Sequence, residues 1–277
     1  MKHLEILQKA INGDIRAFQQ LYSEFQPQLK SYLYRLLTDR NDAEDLAQDT
    51  FVKAFDKIQT FRGTSSLKTW VFQIATHLAY DHLRKFRRWP PDAQDQAKAL
   101  AMSDRAVSDA FHRVHQHSPY GAYDVREHID FCFTCLGKTL NIEQQVAIIL
   151  KDIYQFSRKE IAQILDQTEG VVKHLLFEGR KTMMDIFDQR CALISKNGAC
   201  HQCTELAGIY NSKQTQQEEL RKIAMVREAE DSDQRRLYQL RANLAQQINP
   251  LRSSGADLHD AIMQCTRQAV GEVNKMS

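Results

Sequence analysis

The chain has 277 residues, 43% of them hydrophobic and 26% charged, which is enough apolar material for two or three small cores and too much for a disordered tail. Its 37 basic and 35 acidic residues nearly cancel to a net charge of +2, so a charged partner must be met by local patches. No stretch approaches the roughly 20 apolar residues of a membrane span, and the opening MKHLEILQKAI lacks a signal peptide's apolar stretch; membrane insertion is excluded and a cytoplasmic protein is expected.

Helical periodicity, 10 Gly, 5 Pro and no alternating strand pattern predict an all-α chain. Between Leu4 and Leu37 the apolar positions suit two helices parted near Gly13-Asp14, with Asp14 capping the second. Asn41 and Glu44 have capping-box spacing and open an acidic helix. Ala43, Leu46, Ala47, Phe51, Ala54, Phe55 and Ile58 form its apolar stripe, and Asp42, Asp45, Asp49 and Asp56 lie on the other face. After Phe61-Arg62-Gly63, Thr64 or Ser65 caps a helix carrying Trp70, Phe72, Ile74 and Leu78 into the basic run Arg84, Lys85, Arg87, Arg88, which Pro90-Pro91 ends.

This first domain spans residues 1–90. Residues 91–127 are polar and read as an interdomain linker with some helix of its own, His112, His115 and His117 being solvated. A second domain, 128–188, has three closely spaced helices. Ser157 and Glu160 give a capping box for its middle helix, Thr168 caps the next, and the short turn between them is that of a helix-turn-helix. In the last helix Val172, Leu175, Leu176 and Met183 point inward and Glu169, Gly170, Lys173, His174, Phe177, Arg180 and Lys181 outward, a face that suits a major groove. The bland reading is a three-helix bundle with a solvated basic face. Residues 189–277 begin with cysteines and continue as a charged run to Ile248, expected to be a long solvated helix or helical hairpin.

DAEDLAQDTFVKAFDKI followed by FRGTSSLKTWVFQIATHLAYDHLRK resembles region 2 of the sigma-70 family, in its extracytoplasmic function (ECF) group, and FSRKEIAQILDQTEGVVKHLLFEGRKTM resembles region 4. The resemblance covers about residues 20–187 and implies an initiation factor, not an enzyme, that binds core RNA polymerase and brings it to promoter DNA. It implies polymerase contact through Asp42, Asp45, Gln48 and Asp49, whose exposed acids would give steering and register. It implies minus ten recognition, with a base held out of the stack, by Arg62, His77, Tyr80, Arg84, Lys85, Arg87 and Arg88. Trp70 and Phe72 are stacking candidates, with core the favoured role for Trp70. Minus thirty-five recognition falls to Glu169, Lys173, His174, Phe177, Arg180 and Lys181. The run Lys173-His174-Leu175-Leu176 departs from the family's usual small polar residue and arginine after that lysine, so no promoter sequence carries over. A separate anti-sigma factor is a further partner the resemblance allows. The rival reading, a helix-turn-helix repressor or activator that does not bind core polymerase, leaves the acidic helix without a purpose.

Six cysteines in a reducing compartment point to metal or thiol chemistry rather than structural disulfides. Cys132/Cys135 and Cys200/Cys203 are two C-x2-C pairs flanking the helix-turn-helix and could meet in one four-cysteine zinc site. A competing set starts from His128, Cys132 and Cys135, whose H-x3-C-x2-C spacing resembles the zinc motif of anti-sigma factors, with Cys191, Cys200 or His201 completing it. Thiolates suit zinc or another thiophilic metal such as copper(I), the same thiols could form a disulfide on oxidation, and buried free thiols are the bland alternative. The expectation is a C-terminal extension that regulates the other domains through a metal or redox signal. A thiol-disulfide enzyme would need strands, and none is legible.

Overall fold

The computed structural model describes residues 2–195, 197–211, 220 and 223–273. The described chain is helical. The first five helices are α1 (Lys2–Ile11), α2 (Ile15–Ser23), α3 (Gln26–Leu37), α4 (Arg40–Asp56) and α5 (Leu67–Leu83). Next come α6 (Ala93–Ser103), α7 (Arg105–His117) and α8 (Val125–Gly137), followed by α9 (Ile142–Ile148), α10 (Arg158–Leu165) and α11 (Glu169–Arg190). The last four are α12 (Gln202–Tyr210), α13 (Ala224–Arg227), α14 (Gln234–Gln246) and α15 (Ala256–Ala269).

Local chemistry sets the boundaries, and in three places it differs from the expectation. Asp14 does cap α2, its carboxylate accepting from the Arg16 and Ala17 amides, but a second break at Phe25 divides the rest, because Pro27 fits only a helix's first turn. The acidic helix is capped by Asp39 rather than Asn41, through the Asp42 amide at 3.0 Å, since left-handed Thr38 ends α3 immediately before it. Ser66, not Thr64 or Ser65, caps α5, accepting from the Thr69 amide at 3.0 Å. The Ser157–Glu160 capping box and the Thr168 cap form as expected.

Two cores organise the chain. The first unites α1–α5 with α9–α11 and takes in Tyr238, Ala242 and Ala245 of α14. The second gathers Trp89, α6, α7, α12 and α15. Helix α8 serves both, with Phe133 and Leu136 in the first and Ile129, Phe131 and Cys135 in the second. Residues 91–127 are therefore not a solvated tether: α6 and α7 fold into the second core, burying Ala97, Val107 and Phe111 against α15. The charged run after Asp188 differs likewise. Its stretch 218–222 lies outside the described residues except for Leu220, and α14 is short and packed, with Leu237, Tyr238 and Arg241 buried.

At Gly179 the helices α9 and α11 approach closely enough that a Cβ would come 2.8 Å from the Ile148 Cδ1, which would have to move aside. Between the cores lies Arg35, fully buried on α3. Its guanidinium pairs with the buried Asp130 of α8, donates to Thr134 Oγ1 at 3.1 Å, and donates to the carbonyls of Ala245 (3.2 Å) and Ile248 (3.0 Å) at the end of α14. Burial pushes the Asp130 carboxyl above its ordinary range and Arg35 opposes that shift. Removing one member leaves an uncompensated buried charge. Arg35→Met should destabilise the protein by about 3–5 kcal/mol, and combining it with Asp130→Leu should recover most of that loss; urea unfolding measures both.

Candidate functional site

The acidic helix α4 presents Asp45, Gln48 and Asp49 on an exposed face, while Ala43, Ala47, Thr50 and Ala54 are buried beneath. Asp42 is different. Its carboxylate lies 3.4 Å from His82 Nε2 and 3.7 Å from Arg267 Nη2 of α15, so it is engaged within the chain. Burial pulls the His82 pKa down, with Asp42 opposing it.

Around the N-terminal end of α4 the C-terminal helix makes a charged clasp. Arg267 pairs with Asp39, and Arg40 meets Asp257 at 2.5 Å and Asp260 at 3.6 Å. Tyr34 donates to Asp260 at 3.0 Å, and Gln264 Nε2 donates to the Thr38 carbonyl at 3.1 Å. Sequence reasoning missed this set because each member looks like an ordinary surface charge until α15 folds back.

On α5 the expected promoter residues divide. His77, Arg84, Lys85 and Arg87 are exposed, as is Arg62 in the preceding turn. Tyr80 is partly buried, its hydroxyl lacking a partner among the described residues, and burial raises its pKa. Arg88 turns inward, donating to Gly137 O at 3.2 Å and Gln145 Oε1 at 2.5 Å, and desolvation lowers it to about 10. Trp70 packs on Phe61, and Phe72 is fully buried against Tyr32 and Phe156, so both serve the core.

The other flank of α5 is covered by the helix-turn-helix. Thr69 donates to Glu160 at 3.3 Å, Gln163 donates to the Thr64 carbonyl at 3.3 Å, and Lys68 sits 4.7 Å over the Phe156 ring. Ser31 and Tyr154 hydroxyls meet at 2.7 Å behind them.

Helix α11 keeps its outward face largely open: Glu169, Lys173, His174 and Lys181 are exposed, and Phe177 is 60% exposed. Arg180 instead forms a bidentate pair with Asp152, which also accepts from Tyr238 of α14 at 2.7 Å. A cleft of about 850 Å³ runs along this face, with Lys151, Arg158, Lys173 and Lys181 on one side and Arg235 and Gln239 of α14 on the other. Its basic lining suits phosphate.

All six cysteines are free thiols. Among the described residues no three His, Cys, Asp or Glu side chains stand together as a ready metal-ligand set. The C-x2-C pair of α8 is split, Cys132 packing against the first core and Cys135 within the second. His128 is buried, stacked on Phe131 at 5.0 Å, and held neutral by burial and then by His259; His201 is exposed. Cys191, outside both C-x2-C pairs, and Cys200 are joined through their backbones by an isolated parallel β-bridge. Burial pushes the Cys132 thiol up to about 12 and Cys203 well above the usual thiol range. No helix among the described residues is long and apolar enough to cross a membrane.

Two family models match the chain, Sigma-70 region 2 over residues 21–89 and Sigma-70 region 4 over 131–183. The chain is 28% identical over 181 residues to the RNA polymerase sigma-H factor of Pseudomonas aeruginosa, covering 65% of this chain and 90% of that protein. It is 30% identical over 166 residues to the ECF RNA polymerase sigma factor SigX of Bacillus subtilis, covering 60% of this chain and 81% of that one. A solved structure, the sigma factor RpoE bound to the anti-sigma factor NepR from Bartonella quintana, is 26% identical, covers 61% of this chain and 96% of that chain, and superposes with a TM-score of 0.43. With α3–α5 inside the region 2 match, α9, α10 and most of α11 inside the region 4 match, and SigX aligned over 81% of its length, the chain belongs to the ECF group of the sigma-70 family, transcription initiation factors that are not enzymes.

Proposed function

We propose that the protein docks on core RNA polymerase through Asp45, Gln48 and Asp49, engages the minus ten element with His77, Arg84, Lys85 and Arg87, and meets the minus thirty-five element with Lys173, His174, Phe177 and Lys181. Its C-terminal segment acts as a fused clamp that keeps the two promoter-reading regions closed, and a metal or redox signal at the cysteines governs release. The observation that carries the clamp is the covered flank of α5: Thr69, Lys68 and Phe72 face α10 and Phe156 instead of DNA.

Elements centred at minus ten and minus thirty-five lie about 25 base pairs apart, roughly 85 Å along B-form DNA at 3.4 Å per pair. Helices α5 and α10 are in direct contact, so one chain can read both elements only after the regions separate. The C-terminal helices oppose that separation because they grip both sides. Helix α15 holds α3 and α4 through Arg267, Asp257 and Asp260. Helix α14 holds region 4 through Tyr238 and through Gln246, whose Nε2 donates to the Asp152 carbonyl at 2.7 Å.

Two outcomes in reconstituted transcription test this reading. Asp45→Lys with Asp49→Lys should weaken core polymerase binding at least tenfold without changing the melting temperature, because both carboxylates are exposed. Arg267→Gln with Arg40→Gln should do the reverse, raising polymerase affinity several-fold by loosening α15. Unchanged or weaker binding by a folded clasp variant contradicts the clamp.

A further inference from the structure

We propose that α14, which lies outside both family matches, contributes to the DNA-binding surface of region 4: Arg235, in its first turn, meets a backbone phosphate of the duplex that the open face of α11 reads. The contact rests on the reading that α11 meets duplex DNA, and it adds a residue of the C-terminal segment to that interface.

Local chemistry places Arg235. Asp233 starts α14 by accepting from the Arg236 amide at 2.8 Å, which puts Arg235 in the first turn, with Tyr238 and Gln239 three and four residues on and on the same side of the helix. Tyr238 is buried and donates to Asp152 at 2.7 Å. Further along, Arg241 lies over the Phe187 ring at 4.0 Å, and Gln246 donates to the Asp152 carbonyl at 2.7 Å and accepts from Gln155 at 2.8 Å. All of these partners belong to the unit formed by α9, α10, α11 and their connections. The helix-turn-helix unit itself therefore holds Arg235 beside α11, on the opposite wall of the cleft of about 850 Å³.

The two walls carry the same charge. Arg158, Lys173 and Lys181 line the cleft with Arg235, all four are exposed, and among the described residues none of them is paired with a carboxylate. Asp185 is the one acid among the lining residues. Arg180, expected to meet DNA, is held by Asp152, and that same carboxylate anchors the helix that carries Arg235. Cations gathered in one cleft repel each other and draw in a polyanion, whose phosphates relieve the repulsion. Phe177, 60% exposed between Lys173 and Lys181, gives the α11 wall an apolar group suited to a base edge. Arg235 stands off the recognition helix, where a guanidinium positions the backbone and carries no sequence information. The duplex is favoured over an acidic protein segment because the cleft is continuous with the exposed Lys173 and Phe177 of the recognition face.

The test uses the full chain and a fluorescent random-sequence duplex of about 30 base pairs, titrated by anisotropy between roughly 50 and 200 mM salt. Arg235→Gln should weaken binding several-fold and flatten the slope of log affinity against log salt by about 0.9, the signature of one lost phosphate contact. Its melting temperature should not change, because Arg235 is exposed. Arg236→Gln removes the same charge from the next residue, which pairs with Glu228 at 3.0 Å and does not line the cleft, and should keep the wild-type slope. Lys173→Gln on α11 should flatten the slope as Arg235→Gln does. A wild-type slope in Arg235→Gln, or an equal loss in Arg236→Gln, overturns the α14 contact; an acidic protein as the true occupant would give the first of these. If Lys173→Gln still weakens binding in that case, the α11 reading stands alone, and if neither variant matters, both fall.

Discussion

A single buried guanidinium, that of Arg35, joins the three parts of this chain. It comes from region 2, its carboxylate partner Asp130 comes from the helix leading into region 4, and the carbonyls of Ala245 and Ile248 come from the end of α14. Burying such a pair adds little net stability compared with a well-packed apolar substitute, but it penalises any arrangement that leaves one partner alone. Its contribution is therefore geometric. With the guanidinium in place, α3, α8 and α14 have one way to meet, and the clasp of α15 on α4 and the grip of α14 on Asp152 follow from it.

The closed form treats the two promoter-reading surfaces unequally. The recognition face of α11 stays open, with Lys173, His174, Phe177 and Lys181 exposed, while α5 has one flank pressed on α10. That contact includes two long hydrogen bonds, Lys68 over the Phe156 ring and the Phe72–Phe156 pair, the rings alone contributing about 0.5–1.5 kcal/mol beyond their burial. Residues outside both family matches also tie the two regions to the C-terminal helices: Tyr238 donates to Asp152, Arg267 pairs with Asp39 and Asp257 meets Arg40.

Much of regions 2 and 4 was legible in the sequence because their signals are local. The 3.6-residue spacing from Ala43 to Ile58, the Ser157–Glu160 box and the Thr168 cap depend only on neighbours along the chain. The misplaced caps of α4 and α5 were also local questions, decided by Thr38 and Ser66 adopting geometries that composition does not report. Residues 91–127 and the extension were not legible, because α6, α7 and α14 carry many polar side chains and find their partners far along the chain, α6 and α7 on α15 and α14 on α8 and α11. Arg88 and Arg180 read as DNA contacts and in this structure pair within the chain with Gln145 and Asp152, partners that an arginine on a helix next to a basic run does not announce. Cys191 belongs to neither C-x2-C pair, and its backbone pairing with Cys200 is created by a loop that folds back through Gly198.

In the proposed clamp, the extension holds regions 2 and 4 together until polymerase and promoter take them apart. Its most direct test is a distance measurement between probes carried by unnatural amino acids at exposed Asp81 on α5 and exposed Lys181 on α11. A clamped chain gives one short, narrow distance distribution in the free protein, replaced in the promoter complex by a distance approaching the roughly 85 Å that separates the two elements on DNA. A free protein that already populates the long distance, or a promoter complex that keeps the short one, would contradict it.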